Sequence, residues 1–477
     1  MSRRFVSCAG ALFLAACTVG PDYRAPTAVS LGVPPAYAPP VTRPADANVT
    51  SAAPAELTSW WRQFDDPLLT DLIGRATAGN LQIAQSLARL AEAREARVQA
   101  GADLLPSVNG TAGAGRNFTH ANGYTSATTD LSLGADASWQ ADVFGGLKRS
   151  LQAAGASEAA AYFDLEGVRT SIAGEIATNY IDARLAQARS QIARSTLSTQ
   201  DENLQIAQWR VQAGLVSSLD VEQARAQRAQ TAAGIPLIET SYEQAVARLG
   251  TLTGQTPGAL RSEMERIGPI PQGPGTITLG IPADTLRRRP DVRSAERQLA
   301  AATARIGVAR ASLFPTLAIS GNIGTDAATI GKLGSLVTGG LFAQVAQAIF
   351  DAGKRRSEVR SSRAAADLAF ANYKQTILTG LEDVENAVQS LEAAKVRQAQ
   401  LAIALEASSN AAIYARSQYR SGLIDFLTLL QSEQALLSAR DQLASAEADE
   451  SLALVQLYLA LGGGWQPTAA NPIRNPA

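Results

Sequence analysis

Long stretches of the chain carry apolar residues at helical spacing and contain no proline. Residues 147–213 and 354–421 are both proline-free and rich in Ala, Gln, Arg, Glu and Leu, which favour helices. At a rise of about 1.5 Å per residue, each stretch would form a helix roughly 100 Å long. A second helical stretch follows each of them, over residues 218–252 and 427–461. The pattern predicts two very long helical hairpins, which ordinary globular domains do not contain.

A glycine stands at the turn of each predicted hairpin. Gly214 and Gly422 suit the left-handed backbone that ends many helices. Asp220 and Asp425 lie near the start of the next helix, where an acidic side chain is favourable. An ordinary antiparallel coiled coil would contain the same turns. The helical pattern therefore leaves a generic coiled-coil hairpin open as an alternative.

Segments in which apolar and polar residues alternate separate the helical stretches. Residues 131–143 alternate throughout, with Trp139 near one end, and residues 317–323 continue the pattern more weakly. Alternating segments of about ten residues are typical of transmembrane β-strands, although a half-buried strand of a soluble sheet alternates in the same way. Each half of the chain contains two candidates. They lie near residues 106–118, 129–143, 315–325 and 336–349.

The four candidate strands of one chain are too few to close a barrel, and an open sheet edge would leave backbone groups unpaired in hydrocarbon. If the strands span a membrane, several copies of the chain must therefore close one barrel. Three copies would supply about twelve strands, enough for an open polar lumen, and the long helices would pack into a tube below it. The predicted fold is mainly α, with long helical hairpins forming an α-barrel and four strands per protomer contributing to a trimeric β-barrel of about twelve strands.

The same order of elements occurs twice along the chain. The Gly-Leu-Val at 214–216 returns as Gly-Leu-Ile at 422–424, and the Leu-Pro pair at 105–106 returns as Phe-Pro at 314–315. The offsets are 208 and 209 residues, far longer than the period of a solenoid repeat. We infer that one long unit was duplicated.

Each half opens on a shorter helical stretch that a proline ends. One helix is predicted over residues 68–105, before Pro106, and the other over residues 290–314, before Pro315. The two long helices of each half follow the strands, so each half has the same sequence of elements.

The N-terminus has the form of a bacterial lipoprotein signal. Two arginines precede an apolar run over residues 5–16, which is too short to cross a bilayer as a helix. The run ends in Leu-Ala-Ala before Cys17 and matches the lipobox at every position, so Cys17 is predicted to become the lipidated first residue of the mature chain. An ordinary signal peptide with a chance cysteine is the alternative. Thr18 stands where inner-membrane retention usually has Asp, which favours the outer membrane, and an acyl anchor holds a protein to a membrane without crossing it.

The chain then divides into five predicted parts. They are a signal peptide (1–16), a lipidated and extended proline-rich linker (17–59), a first structural repeat (60–270), a second structural repeat (271–465) and a C-terminal tail (466–477).

The composition excludes most enzyme chemistry. Because Cys8 lies in the signal and Cys17 is the lipid site, the mature chain has no thiol for a disulfide, a nucleophile or a zinc site. The only histidine, His120, lies in a polar stretch over residues 117–124 that we predict to be an exposed loop, and no G-x-S-x-G or phosphate-binding motif accompanies it. The 42 basic and 43 acidic residues nearly cancel, so nothing indicates a nucleic-acid partner. We expect a protein that is not an enzyme, with no metal and no cofactor besides the covalent lipid on Cys17.

Several short motifs follow one another in an order that resembles a known family. They are Val19-Gly20-Pro21-Asp22-Tyr23 after the lipobox, Trp60-Trp61 with Phe64 and Asp66-Pro67-Leu68, Arg289-Pro290-Asp291-Val292, Phe350-Asp351-Ala352-Gly353-Lys354-Arg355, Tyr419-Arg420-Ser421-Gly422 and Leu461-Gly462-Gly463-Gly464-Trp465. Together they resemble the TolC/OprM/NodT outer-membrane efflux lipoproteins over essentially the whole mature chain. The resemblance implies a homotrimeric duct with a β-barrel in the outer membrane and a long periplasmic α-barrel. It also implies a periplasmic adaptor and an inner-membrane pump, often of the resistance-nodulation-division (RND) type, as partners.

The resemblance further assigns roles to the two hairpin tips. The segments around Gly214 and Gly422 would form the periplasmic mouth and contact the adaptor. Arg210, Asp220 and Tyr419 belong to the same tip pattern.

The resemblance also places an aperture at the start of the last long helix. Leu427 would give an apolar constriction, and Gln431 stands where many relatives have Asp. The aperture would then lack a carboxylate ring, which Asp425 and Glu433 could partly replace. The alternative, which stays open, is that Gln431 is an ordinary residue on the helix surface.

Two classes of function follow from these features. The favoured one is a passive export duct for drugs or other small toxic compounds, energised elsewhere because no ATP or redox site is visible. The alternative is a lipid-anchored periplasmic coiled-coil adaptor or structural protein, which would share the hairpins and the anchor. An adaptor, however, needs neither amphipathic strands nor a duplicated pair of hairpins of this length.

Overall fold

The computed structural model describes residues 18–35, 57–274 and 282–466. The predicted signal peptide (1–16) and the predicted lipidation site, Cys17, lie outside the described residues. So do half of the proline-rich linker (residues 36–56) and nearly all of the predicted C-terminal tail.

The described part of the chain is mostly helical and contains one sheet. Its main elements in chain order are α1 (Pro67–Gly79), α2 (Leu81–Ala102), β1 (Ser107–Ala121), β2 (Tyr124–Ala141), α3 (Gly146–Gln212), α4 (Ser218–Leu252), α5 (Arg261–Met264), α6 (Pro282–Arg288), α7 (Pro290–Ala311), β3 (Thr316–Ala327), β4 (Thr338–Ala346), α8 (Lys354–Arg420) and α9 (Phe426–Ala460).

The helices of the two halves match in length. Helices α3 and α8 each have 67 residues, and α4 and α9, which follow them, each have 35. Helices α2 and α7, which precede the strands, each have 22 residues. These equal lengths agree with a duplicated unit, and the two long hairpins are confirmed. No helix within the described ranges combines the length and apolar character that crossing a bilayer requires.

The single helix predicted over residues 68–105 is wrong in one respect, because Asn80 divides it into α1 and α2. Asn80 has an extended backbone (φ −70°, ψ 129°), and its Oδ1 accepts hydrogen bonds from the N–H groups of Gln82 and Ile83. Its Nδ2 donates to the carbonyl of Leu252 at 2.7 Å. One buried side chain thus caps α2 and satisfies a carbonyl at the end of α4, which outweighs the helical pattern at this point.

One antiparallel sheet joins the two halves in the order β1-β2-β3-β4. Strands β2 and β3 pair from Leu131 opposite Ala327 to Ala141 opposite Leu317. Strands β1 and β4 lie at the edges, each with one unpaired side in the single chain. All four predicted strands are confirmed, with bounds that differ by a few residues.

The prediction of a loop over residues 117–124 is wrong, although His120 is exposed as predicted. Strand β1 continues through His120, and the turn consists of Asn122 (φ 51°) and Gly123 (φ 81°) alone. An Asn-Gly pair accepts two consecutive positive φ angles and so closes a tight hairpin. The His120 Nδ1 lies 2.9 Å from the Thr125 Oγ1 on β2, as a cross-strand pair of side chains.

The main hydrophobic core lies among the helices, away from the sheet. Trp60 is fully buried and stacks on Tyr458 of α9, with ring centroids 5.6 Å apart. Leu72, Ile176 and Leu249 join them from α1, α3 and α4. Burying a side chain of this size stabilises a fold by roughly 1.5–3 kcal/mol. This core holds both halves together at the level where the hairpins begin.

Residues 18–35 run along the surface of the helices without a long regular element. The Tyr23 hydroxyl donates to the Glu296 carboxylate of α7 at 2.7 Å, and the Arg149 guanidinium of α3 donates to the Asp22 carboxylate at 2.8 Å. Leu31 is buried against α6, α7 and α8. This part of the predicted linker therefore lies along the helices, with one short helical turn at Val29–Leu31.

Candidate functional site

The two hairpin tips turn through the same backbone motif. Gly214 and Gly422 have φ angles of 72° and 74°. The N–H of the next residue reaches back five residues, from Leu215 to the Arg210 carbonyl and from Leu423 to the Gln418 carbonyl, at 2.9 Å in both tips. A glycine is required because a side chain strains this left-handed backbone. The sequence therefore positions both turns locally.

A cross-hairpin contact ties the first tip to the second. The Arg210 guanidinium lies over the Tyr419 ring, with Cζ 4.3 Å from the ring centroid. Its Nη2 donates to the carbonyl oxygens of Tyr419 at 2.8 Å and of Arg420 at 3.2 Å. A cation at these last carbonyls of α8 also complements the negative end of the helix dipole. Arg210 thus closes the end of a helix that belongs to the other half of the chain.

A small hydrophobic core of its own fills the joined tips. Tyr419 is buried and packs against Phe426 of α9, with ring centroids 5.5 Å apart. Leu429 of α9, Ala207 of α3 and Ala224 of α4 complete the cluster. Burial raises the pKa of the Tyr419 hydroxyl above its ordinary value, although Arg210 opposes the shift. The Tyr419 side chain is therefore a packing residue of the tip, and its prediction as a direct contact of the adaptor is corrected, because only 2% of the residue is exposed.

Leu427 and Gln431 lie together on the outer side of this core. Both side chains are exposed in the single chain, Leu427 by 49%. Residues four apart on a helix share one face, so α9 presents an apolar and an amide group in line. The aperture role of this pair stays a prediction.

Asp425 is the N-cap of α9. Its Oδ1 accepts a hydrogen bond from the Thr428 N–H at 2.8 Å. Hydrogen bonds from Thr428 hold the pKa of the Asp425 carboxyl below its ordinary value. Asp220, by contrast, lies in the first turn of α4, where Ser217 is the N-cap. The carboxylate of Asp425 is thus engaged by its own helix.

Glu433 does not lie with the predicted aperture residues, and its assignment as a substitute carboxylate is corrected. Its side chain is buried, with 6% of its area exposed, and pairs with the Arg416 guanidinium of α8. The Nη2 to Oε2 distance of this two-pronged contact is 2.8 Å, and Glu433 raises the pKa of Arg416. The contact lies inside the hairpin because Glu433 is two residues from Gln431 and so points to another side of α9.

Two leucines stand at the extreme ends of the tips. Leu215 is 72% exposed and Leu423 is 75% exposed. They follow the turn glycines and are equivalent in the two halves. Their side chains are the most exposed large apolar groups of the two tips.

The opposite end of the molecule is a sheet with two unlike faces. Asp130 and Asp136 share one face of β2, where they accept hydrogen bonds from Asn117 at 2.7 Å and Asn109 at 3.3 Å of β1. Leu133 lies on the other face because successive residues of a strand alternate. Over residues 130–141 of β2, one face is therefore polar and the other apolar.

Aromatic residues collect at the strand–helix junction, where the strands meet the helices. The rings of Phe144 and Phe314 stack with centroids 4.7 Å apart, joining the two halves. The Trp139 Nε1 donates to the Leu104 carbonyl at 2.9 Å. Phe350, after β4, is almost fully exposed. Girdles of aromatic side chains flank the apolar band of outer-membrane β-barrels.

The structure brings Arg210 and Tyr419 together, whereas sequence reasoning named both residues without their contact. The ion pair of Arg416 with Glu433 was not predicted from the sequence either. The sequence does show that the two tips differ, because the residue equivalent to Arg210 in the second half is Gln418. That difference indicates that the two tips are not interchangeable.

Comparison with known proteins agrees with this geometry. The family model described as Outer membrane efflux protein matches residues 72–255 and 281–463. Nodulation protein T of Rhizobium leguminosarum bv. trifolii is 30% identical over 468 residues, which cover 96% of this chain and 97% of that protein. The pyoverdine export outer membrane protein OpmQ of Pseudomonas aeruginosa is 32% identical over 421 residues, which cover 86% and 88%. The solved structure of the outer-membrane channel OprN superposes with a TM-score of 0.86 at 36% identity, over 94% of this chain and 100% of that one.

The matched ranges include the hairpins of both halves, and the fold is that of the TolC-like channels. The role of this family, that of an efflux channel, is non-enzymatic. Its location is the outer membrane, with a periplasmic portion. The chain belongs to the outer membrane efflux protein family.

Proposed function

We propose that the protein is the exit duct of a tripartite efflux system and works as a homotrimer. The observation that carries this proposal is the four-stranded sheet with two open edges and two unlike faces. A strand edge in hydrocarbon must be paired. Pairing β4 of one protomer with β1 of the next, three times over, closes a barrel of about twelve strands.

The faces of the sheet orient the barrel in this arrangement. The face of Leu133 meets lipid, and the face of Asp130 and Asp136 lines the lumen. The helices continue the lumen through the periplasm as a tube that ends at the hairpin tips. The duct is passive, and drugs or other small toxic compounds pass through it.

The tips receive a periplasmic adaptor, which links the duct to an inner-membrane transporter of the RND type. The exposed Leu215 and Leu423 support this role, because each tip offers an apolar end in a mostly polar surface. Gly214 and Gly422 hold these leucines outward. Leu427 and Gln431 line the aperture in the proposed trimer.

A lipid on Cys17 anchors the chain in this proposal. Residues 17–59 form the linker between the anchor and the two repeats, 60–270 and 271–465. The Val19 N–H donates to the Phe144 carbonyl at 3.1 Å, which holds Thr18 and Val19 at the strand–helix junction. This position supports the anchor, because Cys17 directly precedes Thr18. The acyl chains would therefore enter the membrane beside the barrel.

Reconstitution of the full-length, lipidated protein tests the proposal. We expect a trimer by mass measurement in detergent and steady channel conductance in planar bilayers. The Cys17→Ser variant should lose the lipid and still conduct once inserted, because barrel strands bury far more apolar area than one acylated residue. A monodisperse monomer, or a Cys17→Ser protein that is soluble without detergent and does not conduct, would instead favour a lipid-anchored periplasmic adaptor.

A further inference from the structure

A basic cavity lies between the N-terminal segment and helices α2, α3 and α7. Its volume is about 890 Å³, and Pro21 to Tyr23 form one of its walls. Five cationic side chains line it against two carboxylates. The cations are Arg94, Arg97, Lys148, Arg149 and Arg297, and the carboxylates are Asp22 and Glu158.

Not all of these cations are free to bind a ligand. Arg149 is almost completely buried and is engaged by Asp22 at 2.8 Å and by Gln152 at 3.0 Å, so it holds the N-terminal segment in place. Arg297 pairs with Glu296, its neighbour in the chain. These two arginines are structural.

The remaining cations exceed the carboxylates available to them. Arg97 pairs with Glu158 at 3.0 Å, and Arg94 shares the same carboxylate at 3.7 Å, which is longer than a hydrogen bond. Lys148 has an exposed side chain, and no carboxylate within the described ranges pairs with its ammonium group. Arg94, Arg97 and Lys148 therefore have one carboxylate of the cavity lining, Glu158, between them.

Small residues leave the cavity open. Gly101, Gly155, Ala300 and Ala304 line it where larger side chains would fill the space. A Cβ added at Gly155 would come within 3.8 Å of the Arg97 guanidinium. The space beside the cations is therefore not taken up by the protein itself.

The cavity lies at the strand–helix junction. Lys148 is the third residue of α3, and Arg97 and Arg94 lie within about 12 Å of the end of α2. Val98 and Leu151 also line the cavity and make its wall partly apolar, and Val98 is 61% exposed. The headgroup layer of a bilayer extends about 5–8 Å beyond its hydrocarbon. Long arginine side chains reach such a layer from below.

We propose that this cavity binds the phosphate of an anionic glycerophospholipid from the periplasmic leaflet of the outer membrane, between Arg94, Arg97 and Lys148. The inference rests on the proposed function, because that function puts the strand–helix junction at the membrane surface. The lipid's acyl chains lie along the apolar face of the barrel, next to the chain's own anchor. A soluble phosphate compound has the same charge but would gain nothing from Val98 and the adjoining bilayer.

The test is lipid retention by the full-length protein. Wild type is reconstituted in phosphatidylcholine vesicles that contain phosphatidylglycerol, extracted in mild detergent and analysed by native mass spectrometry. The cavity variant is Arg94→Gln with Lys148→Gln. The matched control is Lys354→Gln with Arg356→Gln, which removes two exposed cations from the start of α8, where Arg356 is the equivalent of Lys148.

We expect wild type and the control to retain phosphatidylglycerol over phosphatidylcholine, and the cavity variant to lose this preference by about an order of magnitude. Equal retention by the cavity variant and wild type would overturn the proposal. If the control loses the preference for phosphatidylglycerol to the same extent, the preference comes from general surface charge and the cavity is not a specific site. Displacement of the lipid by inorganic phosphate, with phosphate then retained in its place, would identify a soluble anion as the ligand and reject the lipid.

Trimer mass and conductance of the same preparations separate this inference from the proposed function. If all three proteins are trimeric and conduct but none prefers phosphatidylglycerol, only the lipid site is wrong. If none conducts, the duct itself is wrong.

Discussion

The Arg210 guanidinium covers the ring of Tyr419, 209 residues further along the chain, and donates a 2.8 Å hydrogen bond to the carbonyl of the same residue. This side chain joins the two hairpin tips of a protomer, together with the small hydrophobic core between them. We therefore expect the two tips to move together while the contact of Arg210 is intact.

Arg210→Ala should loosen the tips by about 2 kcal/mol, because it removes charge-assisted hydrogen bonds and a cation–π contact. We expect faster hydrogen exchange in residues 411–430 and more frequent openings in planar-bilayer recordings. Arg225→Ala is the matched control, since Arg225 is exposed and its ion pair in the described part of the chain is with Glu222 of its own helix. If both variants exchange alike, the two tips are not coupled through Arg210.

Leu427→Ala should give a leakier pore if three copies of Leu427 meet at the aperture. Gln431→Asp should place three carboxylates one helical turn further along, raising cation selectivity and sensitivity to divalent ions. Conductance and reversal potentials of wild type and both variants measure these effects. If neither variant differs from wild type, the constriction lies elsewhere, and Leu219→Ala on α4 becomes the next variant to record.

Asp425→Ala should destabilise the start of α9, because it removes the N-cap. Asp425→Asn should keep most of the cap and leave cation selectivity unchanged. Since the folded pKa of Asp425 is lowered, the contribution of the charged cap is present above the ordinary pKa of aspartate and is lost as the pH falls through the lowered value. Hydrogen exchange of the first turn of α9 at neutral and acidic pH checks both points. If Asp425→Asn changes the cation selectivity, the Asp425 carboxylate belongs to the aperture after all.

Leu133→Arg should impair insertion by roughly 2–4 kcal/mol, because it places a charge on the apolar face of β2. Ser132→Arg, one residue away on the polar face, should be milder. The yield of assembled trimer in the outer membrane compares the two variants directly. Equal yields would mean that the faces of the sheet are assigned the wrong way round.

The long helices and the strands could be predicted from local sequence alone. The absence of proline over 147–213 and 354–421, and the alternation over 131–143, act through neighbouring residues, and the structure follows them closely. The hairpin turns could also be predicted from local sequence. Gly214 and Gly422 need only their own backbone freedom and hydrogen bonds five residues back to end a helix.

The departures from prediction arise where one side chain satisfies groups that are distant in sequence. Asn80 breaks a helix because its amide also reaches Leu252, and Glu433 is buried because Arg416 faces it across the hairpin. Local periodicity does not record such partners. It assigns a residue to a helix and to one side of that helix, but which neighbour meets that side depends on the packing of the whole chain.

The tips and the basic cavity show the same division between what local sequence decides and what tertiary packing decides. Their residues come from both halves of the chain, and the contact of Arg210 with Tyr419 exists only because two separately formed hairpins pack side by side. Local sequence decides that each hairpin forms, since helix propensity and turn glycines act within a few residues. Tertiary packing decides which charges are paired, which leucines stay exposed and where a cavity remains, because burial and desolvation depend on every element that surrounds a group.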